Sequence, residues 1–155
     1  MQIKKSDFGA IVIGSKIYVC GGKNQDGEST KNMEMFDCNT KIWTKLCSMK
    51  YPRADFSLTN IDEFIYVCSH EDSIVERFST ISKTWETIEI LGNSRFSSKL
   101  FAFNKELYTI GQNKDDFLEC YKLVKNKWEL VLKIHNQRNM FFIYSSIILH
   151  KNKIY

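Results

Sequence analysis

Short apolar runs separated by pairs of polar residues recur along the chain. Phe8 to Ile13 is one such run, Gly14-Ser15 follows it, and Lys16 to Cys20 is a second run rich in β-forming residues. Two runs joined by two turn residues predict a tight antiparallel hairpin. Equivalent polar pairs stand at three later positions, Asp62-Glu63, Asn104-Lys105 and Lys151-Asn152. The pattern predicts strands throughout, because no segment shows helical periodicity over a useful length.

Two further strands complete the first unit. A polar stretch from Lys23 to Asn32 leads to two β-rich runs, Met33 to Asp37 and Ile42 to Leu46. The turn between these runs, Asp37 to Lys41, is rich in residues whose side chains bond the adjacent backbone. Four short strands in a unit of this length predict one blade of a β-propeller.

Aromatic and acidic residues mark this unit three times. Three tryptophans stand 42 and 43 residues apart, at Trp43, Trp85 and Trp128. A Glu lies nine residues before each Trp and an aromatic residue seven before, giving the pairs Glu34 and Phe36, Glu76 and Phe78, and Glu119 and Tyr121. Tyrosines recur upstream at spacings of 48, 42 and 47 residues, at Tyr18, Tyr66, Tyr108 and Tyr155. Because the variable spacing falls between Tyr and Glu, a loop of changing length lies there.

The glycine pair Gly21-Gly22, followed by Glu-x-aromatic and Trp, resembles the kelch motif. The later units depart from it, with Ser69-His70 and Gly111-Gln112 at the glycine positions. The resemblance implies an all-β fold: a partial kelch β-propeller of about three four-stranded antiparallel blades plus the start of a fourth. The expected repeats are about 5–49, 50–91 and 92–134, with a truncated fourth at about 135–155.

Arginines recur before the first strand of a unit. Arg53 and Arg95 each lie 13 residues before the Tyr of their unit, and Arg138 lies 17 before Tyr155. Two roles are open for them. The fork of a guanidinium suits capture of a carboxylate from a partner, and it equally suits bonds to neighbouring groups within the propeller. The recurring glutamates are expected to be scaffold residues that bond backbone or Arg, and the tryptophans are expected to pack blade against blade.

Composition narrows the function. The net charge of +4 comes from 22 basic and 18 acidic residues that are interspersed, which predicts a solvated surface and no nucleic-acid partner. No apolar run is long enough to span a membrane, and none follows Met1 as a signal peptide would. The five cysteines form no metal-ligand spacing, so we expect buried thiols, no metal, no cofactor and a cytoplasmic protein.

The kelch resemblance implies a protein-binding module. This module resembles the substrate-recognition propeller of a BTB–kelch adaptor for a cullin-RING ubiquitin ligase. The BTB region that would contact the ligase is absent from these residues. Three alternatives stay open: an actin-binding kelch protein, a kelch-fold enzyme, and a truncated duplicate without function. No catalytic motif occurs in the sequence, so we expect no enzyme activity.

The contact residues that the resemblance implies lie in two kinds of loop. One lies between the second and third strands of a unit, and the other connects successive units. The candidates are Lys23, Asn24, Asp26, Glu28, Arg53, Ser69, His70, Arg95, Gln112, Asn113 and Arg138.

The C-terminal residues Lys153-Ile154-Tyr155 match Lys16-Ile17-Tyr18, which lie within a predicted strand. We therefore expect a fragment of a longer chain or a truncated gene product. An incomplete array leaves terminal blade faces uncovered, so poor solubility or self-association is expected.

Overall fold

All regular structure in the described part of the chain is β-structure. A computed structural model describes residues 4–69, 74–88, 96–112, 117–125, 127–135, 149–150 and 153–154, and these ranges contain no helix. They form three four-stranded antiparallel sheets and one two-stranded hairpin. The all-β prediction of three four-stranded blades is confirmed. We call the three sheets blades one, two and three, in chain order.

Each blade is built from consecutive strands. Blade one contains β1 (Gly9–Ile13), β2 (Lys16–Cys20), β3 (Met33–Asp37) and β4 (Ile42–Leu46). Blade two contains β5 (Ser57–Ile61), β6 (Phe64–Cys68), β7 (Val75–Ser79) and β8 (Trp85–Thr87). Blade three contains β9 (Phe96–Phe103), β10 (Glu106–Gln112), β11 (Phe117–Val124) and β12 (Lys127–His135), and the hairpin contains β13 (Leu149–His150) and β14 (Lys153–Ile154). Every strand pairs with the next one of its sheet, so each blade is a simple meander.

The predicted polar pairs form the first hairpin turn of every blade. Gly14, Asp62 and Asn104 each begin such a turn, and all three have left-handed backbone with φ between 49° and 58°. This conformation matches the twist of tight two-residue hairpins. The fourth pair, Lys151-Asn152, lies outside the described residues.

Asp37 shapes the turn between β3 and β4. Its Oδ1 accepts hydrogen bonds from the backbone N–H groups of Asn39 at 2.8 Å and Thr40 at 3.2 Å. These bonds favour the ionised carboxylate and lower the pKa of Asp37. The turn therefore forms through the local side-chain bonding that its composition predicts.

The core lies between the blades. One buried cluster joins blade one to blade two and contains Tyr18, Cys20, Met33, Met49, Ile65, Val67 and Phe78. A second joins blade two to blade three and contains Tyr66, Cys68, Val75, Ile88, Leu100 and Leu107. Successive residues of a strand point to opposite faces, so each blade has a leading face toward the preceding blade and a trailing face toward the next.

The aromatic repeat forms the leading face. Phe78 and Trp85 of blade two pair across β7 and β8, with ring centroids 5.2 Å apart. The indole Nε1 of Trp85 donates a 3.1 Å hydrogen bond to the carbonyl oxygen of Cys47, just beyond the last strand of blade one. Trp128 packs against the second cluster. Trp85 and Trp128 therefore pack blade against blade, as the sequence predicts.

Blade three departs from the other two in register. In blades one and two the tryptophan pairs with the recurring aromatic, as Trp43 does with Phe36. Trp128 pairs instead with Leu123, because β11 and β12 extend further toward the turn that connects them than the equivalent strands of blades one and two do. Val131 lies between the partners of Tyr121 and Cys120, where the register shifts by one residue as in a β-bulge. The fixed Glu-to-Trp spacing thus corresponds to two pairing registers.

Candidate functional site: the loop face

The long loop of blade one is organised by Asn24. Its side-chain Oδ1 accepts hydrogen bonds from the backbone N–H groups of Asp26 at 3.0 Å and Glu28 at 2.9 Å. Its Nδ2 donates to the Glu28 carboxylate at 3.2 Å, and its own N–H donates to the Glu28 carbonyl oxygen. The loop is therefore held in one shape by its own bonds, while Asp26 and Glu28 remain exposed.

The connection between blades one and two lies against this loop. The backbone N–H of Arg53 donates to the carbonyl oxygen of Thr30 at 2.9 Å, and that of Met49 donates to Lys31 at the same distance. On the other side, the N–H of Asp55 donates to the carbonyl oxygen of Asp7 at 3.2 Å. Residues 5–8, 23–32 and 47–56 therefore form one continuous surface, which we call the loop face.

The glycine pair makes this close approach possible. Gly21 and Gly22 have positive φ values of 62° and 91°, and the Gly22 N–H donates to the carbonyl oxygen of Arg53 at 2.8 Å. A Cβ atom on Gly21 would lie 2.5 Å from that same oxygen and 2.7 Å from the Phe56 ring. The kelch glycines therefore serve a contact between one blade and the entry to the next.

We predict that Gly21→Ala destabilises the protein more than Gly14→Ala. Both residues have left-handed backbone, which costs an L-residue about 1–2 kcal/mol. A Cβ on Gly14 meets nothing within 4 Å, whereas one on Gly21 overlaps backbone that cannot move aside. That overlap adds about 1–3 kcal/mol. Chemical denaturation of the two variants measures the difference, and equal losses would contradict the close-approach argument.

Arg53 lies in the interior, where Glu76 binds it. Both side chains are fully buried, and the Nε and Nη2 of Arg53 donate to Glu76 Oε2 at 3.2 and 3.1 Å. Nη2 also donates to the carbonyl oxygen of Ile74, and Glu76 Oε1 accepts from the N–H of Lys50 at 2.7 Å. Of the two roles that the sequence leaves open for Arg53, the geometry favours bonding within the propeller. Glu76 bonds both backbone and Arg, as predicted.

Lys5 takes the same position in blade one, where the arginine pattern does not predict it. It lies 13 residues before Tyr18, and its Nζ is 3.8 Å from Glu34 Oε2, with both side chains buried. At that distance the pair is an ion pair without a hydrogen bond. Burial lowers the pKa of Lys5, and the nearby Glu34 charge opposes that effect. The 13-residue offset from the tyrosine is the signal that could have identified it.

The predicted contact residues fall into four groups. Lys23, Asn24, Asp26 and Glu28 lie on the loop face and are at least partly exposed. Arg53 and Ser69 are buried, with 2% and 4% exposure, so neither side chain is available to a partner in this structure. Gln112 ends β10 and lies opposite Leu118. The remaining candidates lie outside the described residues; they are His70, Arg95, Asn113 and Arg138. The repeat residue Tyr155 also lies outside them.

The buried cysteines are poor nucleophiles. Cys20 and Cys68 occupy the same position two residues after the repeat tyrosine and are fully buried. Burial raises the pKa of Cys20 to about 12, although Lys5 and Arg53 lie close enough to oppose that rise. Burial also raises the pKa of Cys120 to about 11. The thiols of Cys20 and Cys120 therefore stay protonated at neutral pH, which removes the thiolate that catalysis needs. Cys47 differs from the buried expectation, because it is exposed and its Sγ lies 2.8 Å from the Lys83 carbonyl oxygen.

The arrangement of blades is that of a propeller. The structure of YjhT, a kelch propeller, matches with a TM-score of 0.66 at 13% sequence identity, and the match covers 84% of this chain and 52% of that one. A family model described as the Kelch motif matches residues 4–50. The fold, the repeat residues and this match support a kelch-repeat protein.

Two of the curated relatives combine kelch repeats with another domain by name. An F-box/kelch-repeat protein of Arabidopsis thaliana is 28% identical over 77% of this chain. A RING finger domain and kelch repeat-containing protein of Dictyostelium discoideum is 32% identical over 74% of the chain, and Kelch-like protein 25 of Xenopus tropicalis is 19% identical over 81%. The chain spans 36%, 13% and 25% of the lengths of these three relatives.

In the described part of the chain, no helix has the length and apolar character needed to cross a membrane.

Proposed function

We propose that this chain is a protein-binding module that engages its partner through the loop face. The observation that carries the proposal is that the loop of blade one and the connection to blade two form one hydrogen-bonded surface. Loops held on a rigid β-scaffold are a common place for recognition. A surface already held in shape loses little conformational entropy on binding, which favours affinity.

The loop face offers polar and charged groups to a partner. Asp26, Glu28 and Lys31 are exposed, and Lys23 forms an ion pair with Asp7 in which both side chains are about half exposed. Groups of both signs favour specificity and steering over raw affinity. The partner is therefore a protein segment with complementary polar groups, bound in the cytoplasm.

In the whole protein, the binding module is the substrate-recognition part of a ubiquitin-ligase adaptor. Support comes from the names of the relatives, which place kelch repeats beside an F-box or a RING finger domain or in a Kelch-like protein. In this proposal the kelch blades select the protein substrate. A separate region, of the BTB type or of the F-box type, contacts the ligase.

We also propose that the module has no catalytic activity and needs no metal or cofactor. The protonated state of the buried thiols supports this for Cys20 and Cys120. The proposal is independent of the partner's identity.

Exchanging charges on the loop face is expected to reduce partner binding at least about tenfold, since rearranged charges cost affinity when groups are desolvated. The variant is Asp26→Lys with Lys31→Asp, which keeps the net charge and leaves the side-chain bonds of Asn24 in place. Quantitative affinity capture with the full-length protein, followed by titration against the main captured partner, measures the change.

A matched charge exchange at the opposite ends of the strands, away from the loop face, provides the control. Lys41→Glu with Glu63→Lys also keeps the net charge, and both residues belong to turns at the other ends of the strands. This control variant is expected to bind as the wild type does. Equal binding by both variants, or a loss with the control alone, would overturn the assignment of the loop face.

A further inference from the structure

The ends of the strands that lie away from the loop face form a second surface. Within a blade, the first and third hairpin turns lie side by side. The backbone N–H of Cys38 donates to the carbonyl oxygen of Ser15 at 2.8 Å, and that of Thr80 donates to the carbonyl oxygen of Glu63 at 3.0 Å. We call this surface the turn face, and its described residues are 14–15, 38–41, 62–63, 80–84, 104–105 and 125.

Every lysine of the turn face has left-handed backbone. The φ values lie between 47° and 62°, at Lys41, Lys83, Lys105 and Lys125. Non-glycine residues are uncommon in this region, and the types it favours are asparagine and aspartate. The other described non-glycine residues with positive φ are all Asp or Asn. Backbone preference therefore does not explain the lysines, and such an outlier is a reason to look for a function.

Three of these lysines repeat from blade to blade. Lys41, Lys83 and Lys125 stand 42 residues apart, each in the turn between the third and fourth strands of its blade. All three are exposed, and none forms an ion pair within the part of the chain that the structure describes. Each of the three successive blades thus presents one ammonium group to solvent at the same turn.

The fourth lysine shows what a turn lysine binds. The Nζ of Lys105 donates a 2.8 Å hydrogen bond to Oδ1 of Asp62, which belongs to the preceding blade. The pair lies in solvent, since the two side chains are 77% and 51% exposed. The turn face therefore already holds one carboxylate on a lysine across a blade boundary.

The other groups of the turn face decide which kind of anion it fits. Ile81 is 76% exposed in the same turn as Lys83. The described residues of the face include no aromatic side chain, on which the bases of a single-stranded nucleic acid would stack. Asp62 and Glu63 repel a phosphate backbone, whereas a protein segment can place carboxylates at the lysines and an apolar side chain on Ile81. The chemistry favours an acidic protein segment.

We propose that the turn face binds an acidic protein segment that runs across successive blades. Lys41, Lys83 and Lys125 each bind one carboxylate of the segment, as Lys105 binds Asp62. An apolar side chain of the segment covers Ile81. The turn face and the loop face lie at opposite ends of the strands, so the module can hold a partner on each of them at the same time.

A fluorescent peptide of glutamates interrupted by single leucines tests the turn face in the full-length protein. Lys83→Glu with Lys125→Glu is expected to weaken binding of the peptide at least about tenfold, because like charges then face each other. The control is Lys31→Glu with Lys50→Glu, which makes the same change in net charge at exposed lysines of the loop face. The control should bind nearly as well as the wild type. Ile81→Ser should weaken the peptide and leave binding of poly-L-glutamate unchanged.

Hydrogen exchange in the wild type keeps the test independent of the folding of any variant. The bound peptide should slow amide exchange in residues 80–84 and leave residues 23–32 unchanged. Equal losses from the two double variants, no binding at about 0.15 M salt, or tighter binding of a single-stranded oligonucleotide would overturn the proposal. None of these results bears on the loop face, because the exchange of Lys41 and Glu63 keeps the net charge of the turn face.

Discussion

Glu76→Ala is expected to lower the free energy of unfolding by about 3–5 kcal/mol. The substitution leaves the guanidinium of Arg53 buried without its carboxylate, and it removes the acceptor of the Lys50 N–H. Both members of the pair have no exposed side-chain surface, so water cannot replace the lost partner. Chemical denaturation followed by circular dichroism measures the loss.

Another Arg–Glu pair in the same blade is a matched control. Arg77 bonds Glu86 between β7 and β8, where the two side chains are 26% and 55% exposed. Glu86→Ala is the same substitution in a hydrated pair and should cost about 0–1 kcal/mol. Comparable losses from the two variants would show that burial does not govern the strength of the Arg53 pair.

Replacing both buried charges isolates the cost of the unpaired one. Arg53→Met with Glu76→Leu should recover part of the loss, because no charge then stays buried alone. Full recovery is not expected, since Lys50 N and the Ile74 carbonyl oxygen also lose partners. Arg53 substitutions consequently change stability as well as any binding, which makes exposed loop residues better probes of a partner.

Phe78→Ala is expected to cost about 3–5 kcal/mol, whereas Phe36→Ala in a dilute sample should cost clearly less. The two residues hold the same place in successive blades, but Phe78 is fully buried between two blades and Phe36 is only partly covered. Thermal or denaturant unfolding of the two variants gives the comparison. Because the substitution is identical, the difference reports the presence of the neighbouring blade. A larger loss of stability for Phe36→Ala than for Phe78→Ala would contradict the interblade packing described here.

Local patterns were enough to predict the strands of blade one. The runs Lys16–Cys20, Met33–Asp37 and Ile42–Leu46 coincide with β2, β3 and β4, because each is bounded by turn residues and alternates between two faces. Such a pattern does not predict the pairing register between β11 and β12. The Glu-to-Trp spacing is unchanged in blade three, and only the pairing of Trp128 with Leu123 reveals the shift.

The candidate site was predicted less completely than the fold. The loop residues Asp26 and Glu28 could be assigned to the surface from their polar surroundings. The burial of Arg53 could not be decided, since its carboxylate lies 23 residues further along the chain and its exposure depends on packing between blades. The arginine pattern does not include Lys5, because blade one carries an ammonium group at the position where blade two carries a guanidinium.

The hydrogen bond from Gly22 to Arg53 has a consequence for the evolution of the array. It means that the glycine pair of one repeat and the backbone that requires it are encoded in two successive repeats. Recombination that duplicates, deletes or exchanges a single repeat therefore joins a glycine position to an entry segment with a different history. A side chain at Gly21 is excluded by the backbone and the Phe56 ring of the next repeat, so what the first repeat tolerates at this position is set by the entry segment of the second.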